Sequence, residues 1–188
     1  MRPAVFLDRD GTVIELVHHL SKPQEVRLLR RAGDAVRELR RLGYACVIVT
    51  NQSAIARGLL TVEGLHEVHA EFLRQLAESE ANVDGFYFCP EMPVNKDPRI
   101  IDHPDRKPGP GMLLRAAREL GLDLSKSWMI GDTISDMCAG RNAGCRSTVL
   151  VRTGYGADVS LPDAAVDHVV PDLWSAVDLI AGRETRIA

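Results

Sequence analysis

Cysteine is scarce in this chain. Cys46, Cys89, Cys138 and Cys145 are scattered with no CxxC pair, which argues against a disulfide framework and fits a reduced, cytoplasmic protein. Long apolar runs are missing too: no stretch reaches the roughly 18 residues a membrane helix needs. The N-terminus runs straight into an apolar strand with no basic-then-apolar leader, so no membrane association is expected. Nor is there an excess of positive charge. A formal net charge of -3 argues against a general nucleic-acid or membrane-surface binder. Internal repeats and linkers are absent, and 188 residues build one full core with little room for a second. Residues 1–188 are therefore expected to form a single domain, acting as a monomer. Hydrophobic residues at 45% and charged residues at 26% are ordinary for a globular protein.

What is present begins with Val5-Phe6-Leu7-Asp8-Arg9-Asp10-Gly11-Thr12. Three apolar residues fit a buried parallel strand, which then ends in two carboxylates and a glycine. On an extended backbone residues i and i+2 share a face, so Asp8 and Asp10 point together while Arg9 turns away. Carboxylates this close repel unless a cation sits between them, an arrangement that suits a hard dication such as Mg²⁺. It also suits covalent work, because a carboxylate can accept a phosphoryl group as an acyl phosphate. A solvated Asp-Gly turn is the plain alternative. The rest of the chain has to decide between them.

Residues 14–23 lack periodicity and read as a loop in which His18 and His19 are solvated. Ala32, Ala35, Val36, Leu39 and Leu42 recur at helical spacing, stopped by Gly43, with the arginines between Arg27 and Arg41 read as a solvated helix surface. A second buried strand over 44–49 ends in Thr50, Asn51, Gln52 and Ser53. Strand, helix and strand in this order imply a right-handed parallel crossover, which puts Thr50 on the same sheet edge as Asp8. There Thr50 either caps a helix or holds phosphate oxygens. Thr61 is the expected N-cap of a helix running to about Glu80. A third strand over 84–88 leads into an irregular stretch, 89–110, with six prolines; a loop this long in a compact domain points to function. A helix over 111–121, a strand over 127–130, a helix over 137–143, a strand over 148–151, and a last strand and helix (168–170, 172–181) complete the pattern. The expected fold is α/β: a doubly wound, Rossmann-like, mostly parallel sheet with helices on both faces. Between Asp10 and Thr50 there is too little chain for a separate cap domain.

Strand ends and nearby loops thus carry Asp8/Asp10, Thr50, Lys107 and Asp132/Asp136 toward one edge. Phosphoryl transfer from a monoester needs a nucleophile, an acid for the leaving oxygen, a dication, and cationic or hydrogen-bonding groups around the equatorial oxygens. Lys107 reads as a mobile point charge for an equatorial oxygen, and Arg106 as a bidentate grip for a second phosphate. A phospho-accepting receiver-like signalling domain is the non-enzyme alternative; there, however, the acid pair and the phospho-acceptor lie on separate strands.

The set Asp8-Arg9-Asp10-Gly11-Thr12, Thr50-Asn51, Lys107 and Gly131-Asp132 with Asp136 resembles the four motifs of the haloacid dehalogenase superfamily. Thr50-Asn51-Gln52-Ser53 with Ile55-Ala56-Arg57-Gly58, Arg106-Lys107-Pro108, and Arg152-Thr153-Gly154 resemble its histidinol-phosphatase and D-glycero-D-manno-heptose 1,7-bisphosphate phosphatase group. The resemblance implies an Mg²⁺-dependent phosphatase for a small phosphorylated metabolite. Asp8 would be nucleophile, Asp10 general acid and base, and Thr50 and Lys107 stabilisers of the phosphoryl group. Mg²⁺ would be held by Asp8, the Asp10 carbonyl and Asp132, with Asp136 alongside. Arg9, Asn51, Gln52, Ser53, Arg106 and Thr133 would bind substrate. The favoured substrate is the heptose bisphosphate, cleaved at C7, with histidinol phosphate or another sugar phosphate as alternative. Heptose enzymes of the group usually carry a Cys/His zinc site in the long loop. Here the matching positions read Cys89, Glu91, His103 and Asp105, a harder and weaker set, so Zn²⁺ is the lesser expectation beside Mg²⁺. Thr133 stands where relatives often have Lys, and the Leu16 to His19 segment departs from their substrate-contacting sequence.

Overall fold

The computed structural model describes residues 1–182, so residues 183–188 of the expected single domain lie outside the described residues. The apolar run at the N-terminus is β1 (Ala4–Leu7), every residue of it buried. It is followed by α1 (Ala32–Arg41), β2 (Ala45–Asn51), α2 (Ser53–Ala56), α3 (Val62–Glu78), β3 (Gly85–Cys89), α4 (Gly111–Leu120), β4 (Trp128–Gly131), α5 (Ile134–Ala143), β5 (Ser147–Val151), β6 (His168–Val170) and α6 (Leu173–Ile180). The six strands form one sheet in the order β3-β2-β1-β4-β5-β6, with every pairing parallel. Chain order therefore reverses at β1, whose neighbours are β2 and β4. In open sheets of this kind ligands bind at the carboxyl edge beside such a switch point.

Burial on both faces explains why the strands read as apolar runs rather than as alternating patterns. Val5 and Leu7 join the core with Val36 and Leu39 of α1, Phe72 of α3 and Val177 of α6. Ala4 and Phe6 face the opposite core, with Met112 and Leu113 of α4 and Ala139 of α5. The two-residue period of the strand thus divides the helices between two layers. Among the described residues no separate cap domain is inserted between β1 and β2, and no helix is long and apolar enough to cross a membrane.

The elements depart from sequence expectation mainly at their ends. Thr61 does cap α3, its hydroxyl accepting from the Gly64 amide at 3.0 Å. α5 starts three residues earlier than the apolar pattern predicts, at Ile134 rather than Met137. Thr133 is its N-cap and Asp136 closes the capping box, so a polar turn that looks like loop in the sequence becomes the first turn of a helix. Strand β2 runs on through Thr50 to Asn51, and a short helix, α2, follows at once.

Candidate active site

Lys107 is the hub of the carboxyl edge. Its Nζ donates to Asp8 Oδ1 at 2.6 Å and to the Val49 carbonyl at 2.9 Å, and pairs with Asp136 Oδ1 at 2.6 Å. Of its three donors, two are hydrogen-bonded, and the charge is also ion-paired with Asp136. The mobile charge expected from the sequence is thus a locked one. Its backbone is held as well: Asn51 Nδ2 donates to the Lys107 carbonyl at 3.1 Å and Asn51 Oδ1 accepts from the Lys107 amide at 3.1 Å. Burial disfavours the Lys107 charge, but the carboxylates of Asp136 and Asp8 outweigh it and raise its pKa.

Asp8, Asp132 and Asp136 are buried, and each brings a carboxylate oxygen within 4.8 Å of the other two. Burial pushes the Asp8 carboxyl up to about 7, with Lys107 opposing the rise and Asp136 and Asp10 adding to it. Asp132 is pushed up to about 8, first by burial and then by Asp8 and Asp136. Crowded buried carboxylates of this kind are relieved by a dication. The oxygens fit that role unequally. Asp132 Oδ1 is buried with no hydrogen-bond partner, whereas Asp132 Oδ2 accepts from the Tyr155 amide at 2.8 Å. Asp136 Oδ1 also lacks a hydrogen bond but is ion-paired with Lys107 at 2.6 Å, and its other oxygen accepts from the Thr133 hydroxyl at 2.6 Å. Asp8 and Asp132 are therefore the carboxylates with an oxygen left for a metal. Gly11, at φ +85°, and Gly154 pack so closely on Asp132 that a Cβ at either would overlap its carboxylate.

Asp10 sits beside this cluster with its side chain 19% exposed. Thr50 Oγ1 donates to Asp10 Oδ2 at 3.3 Å, and Gln52 Nε2 donates to the same oxygen at 3.0 Å. A cavity of about 360 Å³ opens above these groups. Asp8, Asp10, Thr50, Asn51, Gln52, Ser53, Arg106, Lys107, Asp132, Thr133 and Asp136 all line it, so most residues expected from the sequence are brought together. Arg9 is not among them: it is fully buried beneath the site. Sequence reasoning gave no role to Arg57, Ser135 or Tyr155, which also line the cavity. Leu16 to Leu20 form part of its wall, so His18 and His19, read as solvated loop residues, stand at the mouth, with His18 exposed. Its place in the Ile55-Ala56-Arg57-Gly58 stretch, just after a strand-end motif, is the signal that could have found Arg57.

The loop between β3 and α4 forms the wall on the Arg106 side. Arg106 Nη1 donates to the Glu91 carbonyl at 2.5 Å, and Asp105 is paired with Arg115 at 2.7 Å. Cys89 Sγ and His103 Nδ1 lie 3.9 Å apart, but the His103 nitrogen accepts from the Asp105 amide at 3.2 Å. The four loop positions compared with a zinc site are thus partly engaged with one another and with Arg115.

Such an edge, with a carboxylate pair on one strand, a locked lysine and a metal-ready acid cluster, defines a phosphatase centre of the haloacid dehalogenase kind. The HAD-hydrolase-like family model matches residues 105–176. The chain is 41% identical over 182 residues, 96% of each chain, to a D-glycero-beta-D-manno-heptose-1,7-bisphosphate 7-phosphatase of Yersinia pestis. It is 42% identical over 181 residues, 93% of each, to its Escherichia coli K12 counterpart. Among solved structures it resembles the D,D-heptose 1,7-bisphosphate phosphatase of B. bronchiseptica complexed with magnesium and phosphate. That match has a TM-score of 0.83 and 31% identity, covering 96% of this chain and 98% of the other. The chain belongs to the haloacid dehalogenase superfamily, in its histidinol-phosphatase and heptose-bisphosphate phosphatase group. It is a phosphatase, and the receiver-like alternative is set aside.

Proposed function

We propose that this single-domain phosphatase is Mg²⁺-dependent, works through an aspartyl phosphate on Asp8, and removes the C7 phosphate of D-glycero-D-manno-heptose 1,7-bisphosphate. The observation that carries the chemistry is the cluster of Asp8, Asp132 and Asp136 at the floor of an open cavity, with Lys107 paired to Asp8 and Asp136. Asp8 attacks phosphorus as the bond to the leaving oxygen breaks, and Asp10 gives that oxygen its proton. Asp10 then takes a proton from water as the water attacks the phospho-Asp8 and frees the carboxylate. Lys107 stays protonated throughout and offsets charge on the phosphoryl oxygens, with the Thr50 hydroxyl beside it. Mg²⁺, when bound by Asp8 and Asp132, neutralises charge on the transferring group and on the acid cluster. Its fit is supported by the unpartnered Asp132 Oδ1.

The substrate preference is supported by the charges at the mouth. Arg57 and Arg106 both line the cavity, while its four acids, Asp8, Asp10, Asp132 and Asp136, lie on the motif strands and helix at the floor. A second phosphate meets cations there. The ammonium of histidinol phosphate would lack a counter-charge, because Asp105 is bound to Arg115 and Glu91 does not line the cavity. The names of the relatives support the same choice.

A phosphate-release screen of heptose bisphosphate anomers, histidinol phosphate and common sugar phosphates, scored by kcat/KM, tests this. The bisphosphate should win. A preference for histidinol phosphate above about tenfold, roughly 1.4 kcal/mol in the transition state, overturns the substrate assignment. Arg106→Ala should lower kcat/KM for the bisphosphate far more than for a simple aryl phosphate.

A further inference from the structure

Arg9 is the largest fully buried side chain in the described protein, and a buried guanidinium is costly unless a partner answers it. Among the described residues it is ion-paired with the neighbouring Asp10. Nε donates to Asp10 Oδ2 at 3.1 Å and Nη2 to Asp10 Oδ1 at 3.2 Å, a two-pronged fork on one carboxylate. Nη1 has no hydrogen-bond partner. An arginine placed for substrate would expose its donors to the cavity. This one is shut away from it and spends them on Asp10.

From the opposite side, Gln52 Nε2 reaches Asp10 Oδ2 at 3.0 Å and Thr50 Oγ1 at 2.8 Å. Gln52 is itself buried, and its backbone N–H donates to the Cys89 carbonyl at 2.7 Å, which ties it to the end of β3. Asp10 Oδ2 therefore receives Arg9, Thr50 and Gln52, whereas Oδ1 receives Arg9 alone. A carboxylate oxygen has about two lone pairs, so Oδ2 is saturated and Oδ1 keeps one free. A short side chain with both oxygens held cannot rotate without breaking several bonds. Holding the group in place before reaction removes an ordering cost from the chemical step. With no cap domain among the described residues to press the acid into place from above, these restraints act from below.

We infer that Arg9, shut away from substrate, and Gln52 are positioning residues for Asp10, and that they present Oδ1 as the oxygen which passes the proton to the leaving group. This rests on the phosphatase mechanism proposed above. In the step concerned, the Oδ1–H bond breaks and the proton goes to the leaving oxygen while its bond to phosphorus breaks and the Asp8–phosphorus bond forms.

The test uses a series of aryl phosphates with increasingly basic leaving groups, assayed with Mg²⁺ on wild type, Arg9→Lys and Gln52→Ala. Leaving groups that depart as stable anions need little help from an acid, whereas basic ones need much. Because kcat/KM ends with the departure of the leaving group, later hydrolysis of the phospho-enzyme does not enter it. Loss of donors on a charged group should lower kcat/KM by roughly tenfold to a hundredfold for the most basic leaving group and by no more than about twofold for the least basic. The slope against leaving-group basicity should steepen in both variants. A merely structural or substrate-contacting role predicts equal loss across the series, and that result would overturn the inference while leaving the phosphatase reading intact. Wild-type protein inactive on the whole series overturns both. Lysine keeps the charge but not the fork; if Arg9→Lys does not fold, Gln52→Ala alone decides.

Discussion

Replacing Lys107 with Met keeps the length of the side chain and removes its charge. It strands Asp8 and Asp136, whose carboxylates lie 2.6 Å from Nζ. At an effective dielectric of about 20, each contact at that distance is worth roughly 6 kcal/mol of gross Coulomb energy. Much of this is offset by the desolvation of three buried ions. The net loss on removing one partner from a buried ionic set is about 3–5 kcal/mol. That is a large share of the roughly 5–15 kcal/mol that holds a domain folded. Urea unfolding in metal-free buffer should therefore show Lys107→Met destabilised by about 3–5 kcal/mol with an unchanged m-value. Adding Asp136→Asn should give back at least about 1 kcal/mol, because it neutralises one stranded carboxylate. Activity should stay lost in both variants. A Lys107→Met protein within about 1 kcal/mol of wild type, or a double variant no better than the sum of its parts, would refute the ionic hub.

Asp8→Asn should abolish turnover, and Asp10→Asn should slow it by roughly 10²–10⁴, as measured by phosphate release under saturating Mg²⁺. His69 lies against Phe86, ring centroids 3.6 Å apart, and burial, helped by the nearby Arg9 guanidinium, lowers its pKa from 6.5 to about 4. The unfolded chain therefore binds this proton more readily between those values, so stability is full above pH 6.5 and falls as pH drops toward 4, by roughly 1–2 kcal/mol once solvent screening of the half-buried ring is allowed for. His69→Leu should flatten that acid limb in urea titrations, and an unchanged limb would reject the assignment. Gly11→Ala should weaken Mg²⁺ activation by roughly tenfold or more, because its Cβ would displace Asp132 from a backbone position at φ +85°. A normal metal dependence in that variant would count against Asp132 as a ligand.

Much of the site was legible because its logic is local and periodic. An apolar run ending in Asp8-Arg9-Asp10-Gly11 can be read directly as a buried strand and an acidic turn. The right-handed crossover rule then carries Thr50 and Asp132 to the same edge without any knowledge of packing. Strand periodicity also turned Arg9 correctly away from the cavity. It could not foresee that the long guanidinium would fork back onto Asp10, because that depends on which space the opposite layer leaves open. The start of α5 was hidden for a related reason: Thr133 and Asp136 read as loop until their reciprocal cap is seen. Lys107 shows the limit most clearly. In the sequence it is one lysine in a proline-rich stretch, free to move. Its fixed place comes from a bond to Asp8 across 99 residues, a second to Asp136, and an Asn51 clamp on its own backbone. Sequence by itself determined which chemistry the strand ends could hold. Only the tertiary structure decided which charges are buried together, and therefore which side chains are locked, because burial and pairing arise from contacts that no local pattern encodes.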